Sequence, residues 1–577
     1  MSTSWRSCAP LVAVLFASGC PDPDPVPIDE GSTSGTGTTT GMVTGDEAPT
    51  SLDTTAGTTV GTTEGTTATS TTTVGDTDTD TDTDTGGPID PGNTIVCDTA
   101  IDPVPAGEVC AVTPGNSMML LQGRVLAGFD VYENGSVLVD ASDPNGRITC
   151  VGCDCADLAE AQGATRVACP QGVISPGLVN PHDHITFTLS QPQPHGMERY
   201  DHRHDWRLGL DGHTELDTFP GADSSRAGIL YGELRMLLGG ATSVSGSVGS
   251  SDTSGLLRNL DRADVTEGLA GVDVNYRTFP LGDSGGEMLA SGCGYPAIDG
   301  TNNLADDVYM PHIAEGITDE ARNEFACLSG AAGGQDLIAR NTSVIHGIGM
   351  RAVDIDNMGQ EGALLVWSPR SNIDLYGITA EITTYRNLGA RIALGTDWTA
   401  SGSMNVLREL QCADAFNRDH LGGAFSDLEL WLMSTYWAAV SQGADDQIGL
   451  IRQGSIADLA VFDGSALDAT DTAHRAVIEA APEDVALVLR GGRPLHGDAT
   501  VVLEPGRREP RVKGPTLWVV TCSECGAPAQ FQHPEGDVDI HACARHRCDL
   551  CWATDDAEQS EHWDGIVPLG GDSLDGR

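Results

Sequence analysis

The sequence predicts an α/β chain: a (β/α)8 TIM-like barrel with a small β-sandwich drawn from both ends of the catalytic region. Three observations carry this expectation. Apolar strands alternate with helical segments over 174–449 of the 577 residues, the pattern of a parallel sheet wrapped by helices. Short strands without helical partners flank that stretch, at 93–173 and 450–507. A His-x-His pair, His182 and His184, follows a buried strand, at the barrel face where active sites form.

In chain order, residues 1–20 read as an export signal. Arg6 supplies the positive end, and Ala9–Ala17 is an apolar run too short to span a bilayer. The run closes on Ala17-Ser18-Gly19-Cys20, which resembles a bacterial lipobox although Ala17 replaces the usual Leu. That resemblance implies cleavage before Cys20, acylation of its thiol, and an exported lipoprotein held in the cell envelope by its N-terminal lipid only. An ordinary signal peptide with an incidental cysteine is the alternative. Residues 21–92 hold 14 acidic residues, no Lys or Arg, and the Asp–Thr alternation of 76–85. Such a tract cannot bury enough surface to fold and repels itself, so it is expected to be a disordered tether.

Net charge is −52, which repels phosphate backbones and argues against nucleic acid as a partner. Lys513 is the single lysine among 31 basic residues, which excludes a lysine Schiff base in the body of the chain. Sixteen cysteines in an exported chain predict disulfides. Connectivity is not legible in the sequence; candidate pairings are Cys97 with Cys110, Cys293 with Cys327, and Cys150, Cys153, Cys155 and Cys169 among themselves. A metal knot at Cys150–Cys155 is disfavoured, because C-x2-C-x-C without a nearby His suits zinc poorly.

Met118–Gly128 and Gly135–Val139 read as strands of the sandwich, and Val173–Val179 as a buried strand. Ser224–Gly239 carries Ile229, Leu230, Leu234, Leu237 and Leu238 at helical spacing and ends on two glycines. Strands follow at Thr242–Val248, Val308–Ala314, Thr342–Gly347, Leu364–Ser368 and Arg391–Gly395. Thr318 is placed to cap a helix whose first turn holds Asp319 and Glu320. A further helix is expected near Thr379–Leu388. Ile451–Phe462 and Val485–Pro494 read as strands of the returning half-sandwich.

The chemistry starts at Pro181-His182-Asp183-His184. Two histidines at i and i+2 of an extended chain point the same way, so both imidazoles can reach one metal. Alone the pair is only suggestive, and its setting adds weight. Pro176-Gly177-Leu178 precedes it; Pro311-His312-Ile313-Ala314-Glu315, Val344-Ile345-His346-Gly347, Ser368-Pro369-Arg370-Ser371-Asn372, Leu394-Gly395-Thr396-Asp397 and Gln453–Leu459 follow. This ordered series resembles the amidohydrolase superfamily, in its deaminase/chlorohydrolase and imidazolonepropionase-like branch, over roughly residues 117–500.

The resemblance implies a hydrolase acting on a carbon–nitrogen (or carbon–halide) bond of a small molecule, with one divalent metal, zinc first and iron second. It implies His182, His184, His312 and Asp397 as ligands. Glu315 would hand a proton to the leaving group, His346 would polarise the substrate or orient water, and Asp397 would take the proton of the attacking water. The physics agrees: three neutral imidazoles and one carboxylate leave an open position on zinc, and a departing nitrogen needs a proton. The plain alternatives are a strand-ending His312, a core His346 and a solvent-facing Glu315. A lysine-carbamate bridge between two metals is impossible here.

Two features stand outside the resemblance. His195–His213, rich in His, Asp and Arg, is expected to be a substrate loop or a solvated loop rather than a second metal site. In the tail, 508–577, Cys522-x2-Cys525 and Cys548-x2-Cys551 have the spacing of a zinc ribbon, with disulfides as competitor. A non-catalytic surface metal- or ligand-binding lipoprotein that retains the barrel is the competing function. Glu315 and His346 distinguish the two, because mere metal retention does not need both.

Overall fold

The computed structural model describes residues 92–498, apart from 193–194, 217–220, 247–254, 263–265 and 306–307, together with the backbone of 527–533 and 536–542. The leader, Cys20, the tether up to residue 91, and Cys522, Cys525, Cys548 and Cys551 lie outside the described residues.

Strands β1 (Thr94–Val96), β2 (Ala111–Thr113), β3 (Asn116–Ala127), β4 (Asp130–Asp140), β5 (Arg147–Gly152) and β6 (Ala164–Pro176) come first. β7 (Leu178–Asn180), α1 (Arg203–Leu208), α2 (Arg226–Leu237), β8 (Ala241–Val244), β9 (Arg258–Asn259) and β10 (Val274–Arg277) open the alternating region. It continues through β11 (Val308–Ile313), α3 (Asp319–Leu328), β12 (Ser343–His346), α4 (Ala352–Glu361), β13 (Leu364–Trp367), α5 (Pro369–Tyr376), α6 (Ile382–Asn387) and β14 (Arg391–Leu394). α7 (Val406–Asp419), α8 (Asp427–Met433) and α9 (Tyr436–Val440) lead to β15 (Leu459–Asp463), α10 (Arg475–Ile478), β16 (Val485–Arg490) and β17 (Arg493–Gly497). β18 (Ala527–His533) and β19 (Gly536–Ala542) form an antiparallel hairpin in the tail.

The eight barrel strands are β7 to β14. They are parallel throughout, in arcs of β7-β8-β9 and β10-β11-β12-β13-β14. The ends of the arcs meet where Asp397 N–H donates to the His182 carbonyl at 3.0 Å, which brings the chain after β14 onto the chain after β7. Their interiors are near-continuous apolar runs, such as Leu364–Val366, because a parallel sheet covered on both faces has no solvent side. Thr318 caps α3 as expected, its hydroxyl accepting from Ala321 N–H.

The second layer is one nine-stranded sheet, ordered β1-β4-β3-β6-β15-β16-β17, with β2 on β6 and β5 on β4. It joins strands from both sides of the barrel. Ile148 N–H donates to Ser455 O at 2.9 Å and Gly454 N–H to Ile148 O at 2.8 Å, so the β5 edge returns to the segment entering β15. The sheet thereby bends round a core of Leu121, Val137, Ile174, Val461 and Leu487.

Several expectations need correction. Val173–Val179 is not one strand: it breaks at Gly177, with β6 in the outer sheet and β7 starting the barrel. A Cβ at Gly177 would collide with the Thr242 side chain of β8, so the crossing point between layers requires glycine. Val485–Pro494 is a hairpin that turns at Gly491-Gly492, and of Ile451–Phe462 only the end is strand. The Ser-Pro-Arg-Ser-Asn turn begins helix α5, with Pro369 in its first turn. Cys97 pairs with Cys153 and Cys110 with Cys169, not with each other; Cys150–Cys155 and Cys293–Cys327 also form. The reason is topological: β1 lies along β4 beside the 150–155 loop, and β2 lies along β6, which places each early cysteine against a later partner. No helix among the described residues is long and apolar enough to cross a membrane.

Candidate metal centre

The barrel strands end where the six candidate residues collect. His182 and His184 lie just past β7, His312 near the end of β11, His346 at the end of β12 and Asp397 just past β14. Gly395 is needed for this approach, since a Cβ there would stand 2.6 Å from His182 Cβ. Ala314, His346 and Asp397 take positive φ of 53°, 74° and 54°. Left-handed backbone at three non-glycine residues beside one cavity is strain of the kind that gathers at functional sites.

Ring nitrogens of His182, His184 and His312 come within 4.8 Å of one another, and His182, His346 and Asp397 form a second such group through the shared His182. Asp397 Oδ1 lies 3.4 Å from His182 Nε2 and 3.3 Å from His184 Nε2. Glu315 Oε2 lies 3.4 Å from His346 Nε2. All six residues are buried except His184, which is partly open. The solvent-facing alternative for Glu315 therefore fails.

Hydrogen bonding fixes the His312 tautomer. His312 Nδ1 faces the Arg277 carbonyl at 3.1 Å, and a carbonyl only accepts, so Nδ1 carries the proton and Nε2 presents a lone pair. Tyr276 stands 3.4 Å from that Nε2, but its single proton goes to the Asp183 carbonyl at 2.9 Å. His182 Nδ1 meets Ser368 Oγ at 3.0 Å, which leaves Ser368 unable to cap α5. His182 Nε2 is then fully buried with no hydrogen-bond partner. An orphaned buried polar atom costs about 1–3 kcal/mol, and in the tautomer that donates Nδ1–H to Ser368 a cation at the Nε2 lone pair would remove that cost.

Electrostatics point the same way. Burial pushes the His182 and His312 imidazoles well down, and neighbouring histidines add to this, so both are neutral. Burial alone would raise the Asp397 carboxyl; the surrounding histidines, His182, His184 and His346, outweigh it, and Asp397 stays ionised. Neutral imidazoles beside a carboxylate are the donor set a divalent cation takes.

Sequence reading missed the supporting residues. Asp183, between the two histidines, points away from them into Asn180, Thr396 and Arg235 (3.1 Å), as alternation in extended chain dictates. Ser371 donates to Asp397 Oδ2 at 2.6 Å, and its signal was present inside the Ser-Pro-Arg-Ser-Asn motif. Tyr376 donates to Glu315 Oε1 at 2.7 Å and had no sequence signal. Trp367, at the end of β13, is core: its indole N–H donates to the Thr379 hydroxyl.

The segment His195–His213 is not a solvated loop. His202, Arg203, His204 and Asp205 are buried. His202, His204 and Glu324 form a third cluster of metal-type donors, yet their atoms are spoken for. His202 Nδ1 accepts from His204 N–H, and its Nε2 meets Glu324 at 3.2 Å. His204 meets Asp283 at 3.0 Å and Arg207 at 2.7 Å. Arg203 pairs with Asp283 and Glu324, so a cation already occupies the cluster.

Comparison with known proteins follows this geometry. A profile of the amidohydrolase family matches residues 377–495. The chain is similar to the 5-methylthioadenosine/S-adenosylhomocysteine deaminase of Halobacterium salinarum, 26% identical over 67% of this chain and 94% of that protein. The same enzyme of Symbiobacterium thermophilum is 24% identical, over 67% and 93%. Among solved structures, it is similar to a zinc-bound adenosine deaminase from Xanthomonas campestris (TM-score 0.46, 17% identity, 68% of this chain and 96% of that one). Another is atrazine chlorohydrolase from Arthrobacter aurescens complexed with zinc (TM-score 0.49, 18% identity, 67% and 97%).

Proposed function

Because the chain belongs to the amidohydrolase superfamily, we propose that this site removes an exocyclic amino group from a purine-type ring, as a zinc-dependent deaminase. The orphaned Nε2 of His182, facing Asp397 beside the neutral imidazole of His312, is the observation that carries it. His182, His184, His312 and Asp397 are the residues that would hold the metal. When bound, a divalent cation lowers the pKa of water from 15.7 towards about 7 and makes it a nucleophile at neutral pH. Asp397 is ionised and held by two donors, Ser371 on Oδ2 and the Trp398 N–H on Oδ1, and this carboxylate would accept the proton of that water. Glu315 returns a proton to the departing nitrogen, without which the C–N bond would have to expel an unstable anion. His346, 3.4 Å from Glu315, is placed to orient the ring. The names of the curated relatives support a 6-aminopurine substrate; the presence of both Glu315 and His346 argues against a mere metal binder.

We also propose export with a lipid on Cys20. The four disulfides between described residues suit an oxidising compartment, and radiolabelled palmitate should enter the wild-type chain but not Cys20→Ala. For the catalytic reading, the test is elemental mass spectrometry beside release of ammonia from 5-methylthioadenosine. About one zinc per chain and turnover, both lost in His182→Ala/His184→Ala, are expected. Metal that survives the double substitution would move attention to Cys522–Cys551. Full occupancy without turnover on any aminopurine or aminopyrimidine would favour the binding protein.

A further inference from the structure

The hydrogen bonds around Glu315 have a direction, and it settles where its proton sits. Trp206 of α1 donates its indole N–H to the Tyr376 hydroxyl at 2.9 Å, and Tyr376 meets Glu315 Oε1 at 2.7 Å. An indole can only donate, so the phenol oxygen accepts from Trp206 and its one proton must go to Glu315. Oε1 is therefore an acceptor. We infer that Tyr376, oriented by Trp206, is a positioning residue that keeps the transferable proton of Glu315 on Oε2, the oxygen facing His346 and the cavity.

This rests on the reading of Glu315 as the acid of a deaminase. The transfer balances: water bonds to the ring carbon and gives its proton to Asp397, Oε2–H gives its proton to the exocyclic nitrogen, the C–N bond breaks with its electron pair on nitrogen, ammonia leaves, and a proton equivalent passing from Asp397 to the Glu315 carboxylate restores the acid. Burial holds the Tyr376 phenol well above its ordinary pKa, so it remains a donor. The backbone beneath is held by the same segment. Arg203 N–H donates to Glu315 O at 3.0 Å, and Arg203 Nη1 to His312 O at 3.2 Å. Glu324 accepts from the N–H of left-handed Ala314 at 2.9 Å. The segment 195–213, whose role the sequence did not disclose, thus acts as the brace of the proton donor.

The test uses two variants, Tyr376→Phe and Trp206→Phe, and two readouts. In crystal structures, Glu315 should hold one carboxyl orientation in the wild type and rotate in Tyr376→Phe. In kinetics, Tyr376→Phe should lower kcat for 5-methylthioadenosine by about 10-fold or more with KM nearly unchanged, a fraction of the ~10²–10⁴ that acid–base catalysis supplies. The 6-chloro counterpart, whose chloride leaves unprotonated, should lose much less. Trp206→Phe should cost about 3-fold and add nothing on top of Tyr376→Phe. A Glu315 carboxyl that stays in place in Tyr376→Phe, or an equal loss on both substrates, overturns the inference. If Glu315 rotates but the wild type turns over neither substrate, the brace stands and the deaminase reading fails.

Discussion

Two buried histidine clusters sit on either side of strand β11. At the barrel mouth, His182, His184, His312, His346 and Asp397 face one another; behind it, His202 and His204 face Glu324 and Asp283. By donor type the two are nearly interchangeable. They differ in what the atoms still lack. In the first, His182 Nε2 has no partner. In the second, every imidazole nitrogen is satisfied and Arg203 supplies the positive charge. Unfilled valence on the imidazoles, rather than a count of histidines, separates the two: the second cluster satisfies its histidines within the chain, although Arg203 Nε and Asp283 Oδ1 are themselves buried without partners.

The largest expected effect tests the first cluster. Asp397→Asn keeps the shape but removes the charge and the proton acceptor, so turnover should fall by about 10³-fold or more while the far-ultraviolet circular dichroism stays unchanged. Activity retained at unchanged metal occupancy would sink the mechanism. The second cluster should answer the opposite way. Glu324→Gln leaves Arg203 and His202 short of a buried anion, and breaking such a pair costs about 3–5 kcal/mol. Denaturant melts should show that loss while metal stoichiometry is unmoved. Should Glu324→Gln instead shed an equivalent of zinc at unchanged stability, the two clusters are alike and the comparison collapses.

Much of the first cluster was legible, because its residues hang on local spacing. His182 and His184 share a face through strand alternation, and His312, His346 and Asp397 each close a recognisable apolar strand. What was not legible depends on partners distant in sequence. Tyr376 meets Glu315 across 61 residues, and Ser368 meets His182 across 186. His202 and Arg203 read as solvated because nothing local reveals Glu324, 122 residues on from His202. Two disulfides were hidden for the same reason: proximity in sequence suggested Cys97–Cys110, whereas sheet pairing decided Cys97–Cys153 and Cys110–Cys169, while Cys150–Cys155 and Cys293–Cys327 formed within the expected groupings. The break at Gly177 was hidden because an apolar run does not show which of two sheets each half joins.

The smallest effect concerns pH and asks whether the second cluster is as self-sufficient as its hydrogen bonds suggest. Burial lowers the His204 imidazole below its ordinary value, with Arg203 adding to this against the pull of Asp283. His474, packed on Trp431 far along the chain, is lowered by burial to about 4. A histidine whose folded-state pKa lies below its unfolded value binds fewer protons when folded, so its contribution is intact above about pH 6.5 and declines as pH falls. For His474 the decline runs from 6.5 to about 4 and amounts to no more than about 3 kcal/mol. His474→Gln should therefore flatten part of the acid slope in urea melts taken from pH 7 to 4.5, and the difference from the wild type isolates that residue from every other histidine. His204→Gln should remove a further part while leaving metal content alone, because Asp283, held below the usual carboxylate range by Arg203 and His204 despite its burial, stays ionised throughout that interval. An acid slope unchanged by His204→Gln would mean that the cluster takes up a proton without cost, and the claim that it is electrostatically complete would fall.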